Sequence, residues 1–471
     1  MRGGRVVRGL LALALLGAAV ARADAFTGPQ AGLGDVRLAE HPAATATVLP
    51  RDAIGTLLRG AMNKTDKYAL TVWWQQYMTG VDPYLTANER ARTNQTIDSE
   101  EVRRYTSVAY ALAASLATGA YDSAVTGVEK AVATERVVEL VTYVATTHRA
   151  NLMSSKGWGG SVQAALWAAQ ITTAGWLIGP ALPPPTQVLL GRLMAYEADI
   201  VAKRELHYLR DTAHHVLTPG NSGAEELAWD GVALYTAVEL LPHHANRGRW
   251  AQAAYERFVG AFSRPQDIHS TYVVNGRTVA DWLDGSNAEP DGFVVNHYRI
   301  NPDYTTDIAL WAAPVSGLVG TAVPESVLAG ADVTYKALTT VRFDPRVYNA
   351  PGGTVYRPGS SAVYYPRGAD WGEHREAVYA GLDVQTAVLS TDPRVRDVAA
   401  KWARVHLDVV RGMQARFTTG QIYGPQSEDH YRSREEHAAM VLANAYLTWW
   451  LRANQRVSVD TRPASAKAPL L

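Results

Sequence analysis

Helical periodicity runs through almost the whole chain and leaves little room for anything else. Apolar residues recur three and four positions apart over about 99–116, 126–147, 160–178, 186–205, 223–241, 247–262, 304–318, 328–340, 375–391, 394–416 and 434–453. Alanine fills the positions between Leu, Val and Trp, which suits close helix–helix packing. Strand-like runs are short and sit inside loops: Tyr272-Val-Val, Thr354-Val-Tyr and Ala362-Val-Tyr-Tyr. The fold class expected is all-α, with about six to seven helical hairpins wound into an α/α toroid and no sizeable β domain. No fixed-period repeat supports the rival α-solenoid.

The first residues read as an export signal. Arg2, Arg5 and Arg8 precede an apolar run from Leu10 to Val20, and Ala21-Arg-Ala23 and Ala23-Asp-Ala25 offer small-residue cleavage sites. That run is too short to span a bilayer. The expected organisation is a signal peptide over 1–25, one catalytic domain over 26–456 and a flexible tail over 457–471. Secretion or a periplasmic location follows as the expectation. The 471-residue chain has no cysteine, which excludes disulfides, thiolate nucleophiles and zinc–thiolate sites. Cleavage after Ala23 leaves 41 basic against 45 acidic residues, since four Arg of the 45 Lys and Arg precede it. No basic stripe marks a nucleic-acid partner. An anionic substrate would be held by a few local cations. A monomer without metal or cofactor is expected.

Three loops, about 206–222, 263–303 and 341–374, are long for a compact domain and rich in aromatics, so they read as ordered and functional. The densest stretch is Asn296-His297-Tyr298-Arg299-Ile-Asn301-Pro-Asp303-Tyr304, in which Asp303 is also placed to cap the helix expected from Tyr304. A second is Asn221-Ser-Gly-Ala-Glu225-Glu226-Leu-Ala-Trp229-Asp230, where Asn221 or Ser222 caps a helix and Glu225 lies near the capping-box position. A third is Gly157-Trp158-Gly-Gly-Ser-Val-Gln163, a candidate sugar-stacking platform. A fourth is Asp370-Trp371-Gly-Glu373-His374-Arg375, where a helix start, a His and an Arg could hold a carboxylate. Trp73-Trp74-Gln-Gln-Tyr77 reads equally as subsite wall or core. The adjacent pairs His214-His215 and His243-His244 do not present both rings to one metal. Known hydrolase, metalloprotease and phosphate-loop motifs are absent.

Three of these blocks, Asn221-Ser-Gly-Ala-Glu-Glu-Leu-Ala-Trp, Asn296-His-Tyr-Arg-Ile-Asn-Pro-Asp-Tyr and Asp370-Trp-Gly-Glu-His-Arg, resemble those of α/α-toroid polysaccharide lyases and their heparinase II/III-like relatives. The likeness spans about residues 150–450 as spaced blocks and is nearest to alginate and glucuronan lyases. The β-sandwich that heparinase-like members carry after the toroid has no counterpart here. The resemblance implies β-elimination on a uronic-acid polysaccharide, with Asn221 and Asn296 neutralising the carboxylate. It makes His297 a neutraliser or the base, and Tyr298 or Tyr304 the base or acid. Trp158, Gln163, Glu226, Arg299, Trp371, His374 and Arg375 are the expected substrate contacts.

The residues fit that chemistry on their own terms. The C5 proton of a uronate is removed only once the adjacent carboxylate is neutralised, a task for Asn, His and Arg. His or Tyr can move the protons. A phenol acts as a base only beside a cation, and Arg299 is near in sequence. If residues 296–298 are extended, Asn296 and Tyr298 share a face, which favours Tyr298. The rivals are a glycoside hydrolase using carboxylates among Glu226, Asp230, Asp303 and Glu373, and a non-catalytic glycan-binding protein.

Overall fold

The computed structural model describes residues 34–42, 47–85, 89–90, 97, 101–152, 156–306 and 308–459. The expected signal segment, Ser99 and residues 460–471 of the expected tail lie outside these. Helix accounts for 57% and strand for 6%, so the chain is all-α.

The first helix, α1 (Ala53–Tyr68), starts where the Asp52 carboxylate accepts the Gly55 N–H at 3.0 Å. It continues through a π turn, Ala69–Trp73, into Trp74–Tyr77. The sequence reading placed no helix here, although Ile54, Leu58, Met62 and Leu70 follow helical spacing and are buried. Trp73 belongs to the core: it is fully buried and its indole N–H donates to Glu436 at 2.9 Å.

The other principal helices are α2 (Val102–Thr118), α3 (Lys130–Thr147), α4 (Ala164–Leu177), α5 (Pro184–Val201), α6 (Ala224–Leu240), α7 (Arg247–Ala261), α8 (Ala313–Val319), α9 (Ala331–Thr340), α10 (Glu376–Leu389), α11 (Pro393–Ala415) and α12 (Arg434–Ala453). Helix α2 packs on α4, α4 on α6, and α6 on the segment 308–319. That segment packs on α10 and α12, α10 packs on α12, and α12 packs on α2. The odd-numbered helices lie against these: α3 and α5 on α4, α7 on α6, α9 and α11 on α10, and α1 on α12.

Burial follows this order. Every residue of α4 is buried, as are nearly all of α6, α10 and α12, whereas α11 has one apolar stripe. A helix apolar all round must be enclosed, and one with a stripe faces water on its other side. Close approach is built in: a Cβ on Gly231 of α6 would stand 2.6 Å from the Phe258 ring of α7. A buried polar link joins three helices, with Gln385 Nε2 donating to Asn444 Oδ1 at 2.6 Å and Asn444 Nδ2 donating to the Tyr110 hydroxyl at 2.9 Å. The same amides also donate to the 308–312 turn, Gln385 Nε2 to the Leu310 carbonyl at 3.2 Å and Asn444 Nδ2 to the Trp311 carbonyl at 3.4 Å, so the link favours one packing arrangement.

The continuous helix expected over 304–318 is broken into a turn at Asp303–Thr305, a tight turn at Ile308–Ala312 and α8, which carries Pro314 in its first turn. Among the described residues, strands occur as three two-residue pairs: Arg210–Asp211 with Gly285–Ser286, Val273–Val274 with Arg277–Thr278, and Val295–Asn296 with Arg299–Ile300. Of the expected strand segments, only the one at 272–274 forms a strand, and the other two meet at a single bridge between Tyr356 and Val363. The aromatics of the long loops are ordered but mostly serve packing, since Trp282, Phe293, Tyr356 and Tyr365 are buried. Residues 457–459 are held in place, with the Val323 N–H donating to the Ser458 carbonyl at 2.8 Å.

Candidate active site

The starts of five helices open onto one cavity of about 150 Å³. Arg103 comes from the first turn of α2, Gln163 from just before α4, Glu225 from the first turn of α6, Arg375 from the start of α10 and His437 from the first turn of α12. Helix N-termini carry unpaired N–H groups and partial positive charge, so their convergence favours an anion. Trp167, Trp229, Trp311, Trp371, Tyr304 and Tyr431 supply flat apolar wall.

The charges in the wall are not alike. Arg375 is buried; its Nη1 is 3.1 Å from Asp303 and its Nε 3.2 Å from Asp429. Burial opposes its charge, but these two carboxylates outweigh burial and hold the guanidinium well above its usual range. Asp303 also accepts from the hydroxyls of Tyr379 at 2.8 Å and Tyr365 at 3.1 Å. It is therefore half of a buried ion pair, and the expectation that it caps a helix is corrected. Arg103 has no carboxylate partner among the described residues. It donates to Gln163 Oε1 at 2.6 Å and lies over Tyr431, 4.9 Å from the ring centre. Burial, reinforced by Glu226, pushes the Glu225 carboxyl up to about 8. Burial, then Arg375 and Arg103, hold His437 well below its usual range, so its imidazole is neutral. Burial and the negative charge of Glu225 raise the Tyr304 phenol, against a weaker hydrogen bond from Trp371.

At the mouth, Val295–Asn296 and Arg299–Ile300 form a hairpin whose two turn residues are His297 at φ 50° and Tyr298 at φ 61°. Two positive φ values in a two-residue loop make a type I′ turn, a place where Asn-Gly is the unstrained choice. A histidine and a tyrosine there cost conformational energy, a mark of a functional position. The extended geometry expected for 296–298 is thus absent, and its consequence reverses. Tyr298 is 84% exposed and leans over Gly220, where a Cβ would stand 2.3 Å from the ring. His297, though also exposed, turns toward two residues of the cavity wall. Its ring meets Tyr304 edge-on with centroids 5.3 Å apart and Trp371 at 5.9 Å. Its Nδ1 is 2.5 Å from Asp370 Oδ2, and Asn301 Nδ2 donates to the same oxygen at 3.2 Å. A carboxylate accepting at Nδ1 leaves Nε2 as the free basic nitrogen.

The loop carrying Asn221 is tied to this hairpin: the Ser222 N–H donates to the Val295 carbonyl at 3.0 Å and the Tyr298 N–H to the Gly220 carbonyl at 2.8 Å. Asn221 and Asn296 therefore flank the mouth, with Asn296 buried and its Oδ1 accepting the His297 N–H at 3.1 Å. Neither lines the cavity. At the start of α6 the hydroxyl of Ser222, one of the two expected caps, accepts from the Ala224 N–H, and the Asn287 side chain accepts from the Gly223 N–H. Glu225 is thereby free to face the cavity.

Of the expected substrate contacts, Gln163, Trp371 and Arg375 line the cavity. Trp158 does not, being 1% exposed with its indole N–H on the Val144 carbonyl, so it is core and no stacking platform. His374 is exposed and 3.7 Å from Glu376. Arg299 donates to the Ala369 carbonyl. Glu226 is largely buried and one carboxyl oxygen has no partner. The carboxylates expected for a hydrolase are not brought together: Asp230 is bound to Arg204 at 2.5 Å, Glu373 is exposed and Asp303 is paired with Arg375. Sequence reasoning missed Arg103, Tyr431 and His437 as site residues and read Glu225 as a cap. A signal was available, since Ser-Gly-Ala-Glu-Glu before α6 and Ser-Arg-Glu-Glu-His at α12 both place acids at helix starts. Comparison with protein-family models, with curated proteins and with solved structures finds no match.

Proposed function

We propose that the protein is an exported polysaccharide lyase that cleaves a uronic-acid polymer of alginate or glucuronan type by β-elimination, on a closed α/α toroid. The toroid reading rests on the contact order, which runs α2, α4, α6, 308–319, α10, α12 and back to α2 with the other helices outside. The observation that carries the function is the pairing of His297 with Tyr304 at the mouth of a donor-lined, aromatic-walled cavity.

In this reading His297 Nε2 takes the C5 proton. The released electron pair forms the C4–C5 double bond, the C4–O4 bond breaks, and O4 takes the Tyr304 phenol proton. The imidazolium and phenolate left behind are neighbours, so one proton passing between them restores both. Asp370 holds His297 in the tautomer needed, as a carboxylate does for a histidine base elsewhere. Asn221 and Asn296 remain the proposed carboxylate neutralisers from the mouth. Arg299 does not enter the proton transfer.

A hydrolase is the second reading, favoured by the Glu225 carboxyl that is protonated near neutral pH. It needs a free partner carboxylate. Among the described residues the other carboxylate lining the cavity is Asp303, which is committed to Arg375 and two phenols. Treating purified protein with alginate, glucuronan and related polyuronates separates these ideas. Lyase action raises ultraviolet absorbance in step with new reducing ends, and reducing ends without that absorbance would establish the hydrolase.

A further inference from the structure

The proton-transfer pair sits at the mouth, yet the cavity continues inward to groups that the elimination does not use. Arg103 is the central one. Its sequence neighbour Arg104 is paired with Glu101 at 2.7 Å, and Arg375 across the cavity is paired twice. Arg103 alone among these three has no acid, and its guanidinium is clamped in place by Gln163 at 2.6 Å and by the Tyr431 and Trp167 rings. Among the described residues its Nε and Nη1 have no hydrogen-bond partner.

Two further donors are unmet among the described residues. The Oε1 of Gln170, a residue 6% exposed, accepts from the Thr106 hydroxyl at 2.8 Å, so its amide N–H groups are the part left for a ligand. The indole N–H of Trp229, a residue 8% exposed, is buried with no partner. Both residues line the cavity. A wall of unmet donors has a cost unless a ligand supplies acceptors. A carboxylate is acceptor-only and forms its strongest hydrogen bonds with a guanidinium, whereas a neutral sugar brings as many donors as acceptors. At about 150 Å³ the cavity has the volume that elsewhere encloses one six-membered ring, not a run of them.

We infer that this cavity is the subsite for the terminal hexuronate of a chain, with its carboxylate against Arg103, and that cleavage at the mouth releases one sugar at a time. The second half rests on the lyase reading; the first does not.

Calorimetric titration of the full-length protein with D-glucuronate, D-mannuronate and D-glucose tests the pocket without any turnover. The expected result is at least one uronate binding about tenfold or more tightly than glucose, the difference that one charge-assisted hydrogen bond supplies. Arg103→Gln should abolish that preference and Arg103→Lys retain part of it, with melting curves showing that both variants fold. Equal affinity for glucose and every uronate overturns the inference with no variant needed. Product sizing on a polyuronate that gives the absorbance rise tests the second half. Monosaccharide from the first time point is expected, and an early ladder of mixed oligomers overturns it. Selective uronate binding with no absorbance rise on any polyuronate sinks the lyase reading and leaves the pocket standing.

Discussion

His297 meets the edge of the Tyr304 ring with centroids 5.3 Å apart and an interplanar angle of 66°. Asp370 grips the imidazole through Nδ1, so the ring cannot turn away without losing that bond. If this pair carries the protons, His297→Ala and Tyr304→Phe each lower kcat by about 10²–10⁴-fold, the usual yield of a positioned acid or base. KM should move little, because neither group contributes much ground-state binding. Steady-state kinetics on the best polyuronate decides this, and a Tyr304→Phe enzyme with normal kcat would remove the phenol from the mechanism.

Asp370→Asn tests orientation separately from proton transfer. The amide can donate to Nδ1 and so stabilise the wrong tautomer, with Nε2 carrying the proton. A fall in kcat of about 10²-fold or more is expected with melting temperature nearly unchanged. A variant that loses stability and activity together would make Asp370 a structural residue only.

Tyr298 stands apart from the chemistry, and its position makes a double-mutant test. Gly220→Ala puts a methyl group 2.3 Å from the Tyr298 ring, at a backbone φ of 72° that alanine also resists. The single variant should lose on the order of 1–3 kcal/mol of stability. Tyr298→Gly removes the clash and suits the second turn position, so the double variant should recover part of that loss. Tyr298→Phe should keep kcat within about threefold of the parent, because its hydroxyl touches no part of the proposed relay. Urea unfolding and kinetics on the parent, the Gly220→Ala and Tyr298→Gly single variants, their double variant and Tyr298→Phe check both statements.

Trp158 and Trp371 should behave oppositely. Trp158 is buried against His148, with its N–H bonded to a helix carbonyl. Truncation to Ala there costs about 3–5 kcal/mol of stability. Trp371 is partly exposed in the cavity wall, so Trp371→Ala should raise KM with a small change in melting temperature. The reverse pattern would return Trp158 to the sugar.

The helices were readable because a 3.6-residue apolar period survives whatever a helix packs against, and the bounds at 434–453 and 376–389 fall within a residue or two of expectation. The break at 303–312 was not readable, because Asp303 is drawn out of a helical role by Arg375, a partner 72 positions away. The hairpin at 295–300 was hidden for a related reason: His-Tyr is a poor turn sequence, and contacts to Asp370, Trp371 and Gly220 hold it there. Arg103 and His437 passed unnoticed because each sits in an ordinary amphipathic pattern. Only the convergence of helix starts, a property of the assembled chain, puts them in one cavity.

Stability should fall as pH rises through the neutral range. Burial raises the Asp66 carboxyl to about 7 against a weaker opposing interaction with the Ser115 hydroxyl, and raises Glu225 to about 8. An unfolded chain ionises these groups near the ordinary carboxyl range of about 4. Between that range and about 8, the folded protein therefore binds more protons than the unfolded one. Stability is greatest at the acid end of this window, declines as pH rises and levels off above about 8. For Asp66 alone the loss is on the order of 2–4 kcal/mol. Urea unfolding at pH 5.5, 7 and 8.5 should show the decline, and Asp66→Asn should flatten the part below pH 7. A curve that rises from pH 5.5 to 8.5 would mean that the ordinary salt-bridged carboxylates dominate and that Asp66 is hydrated in solution.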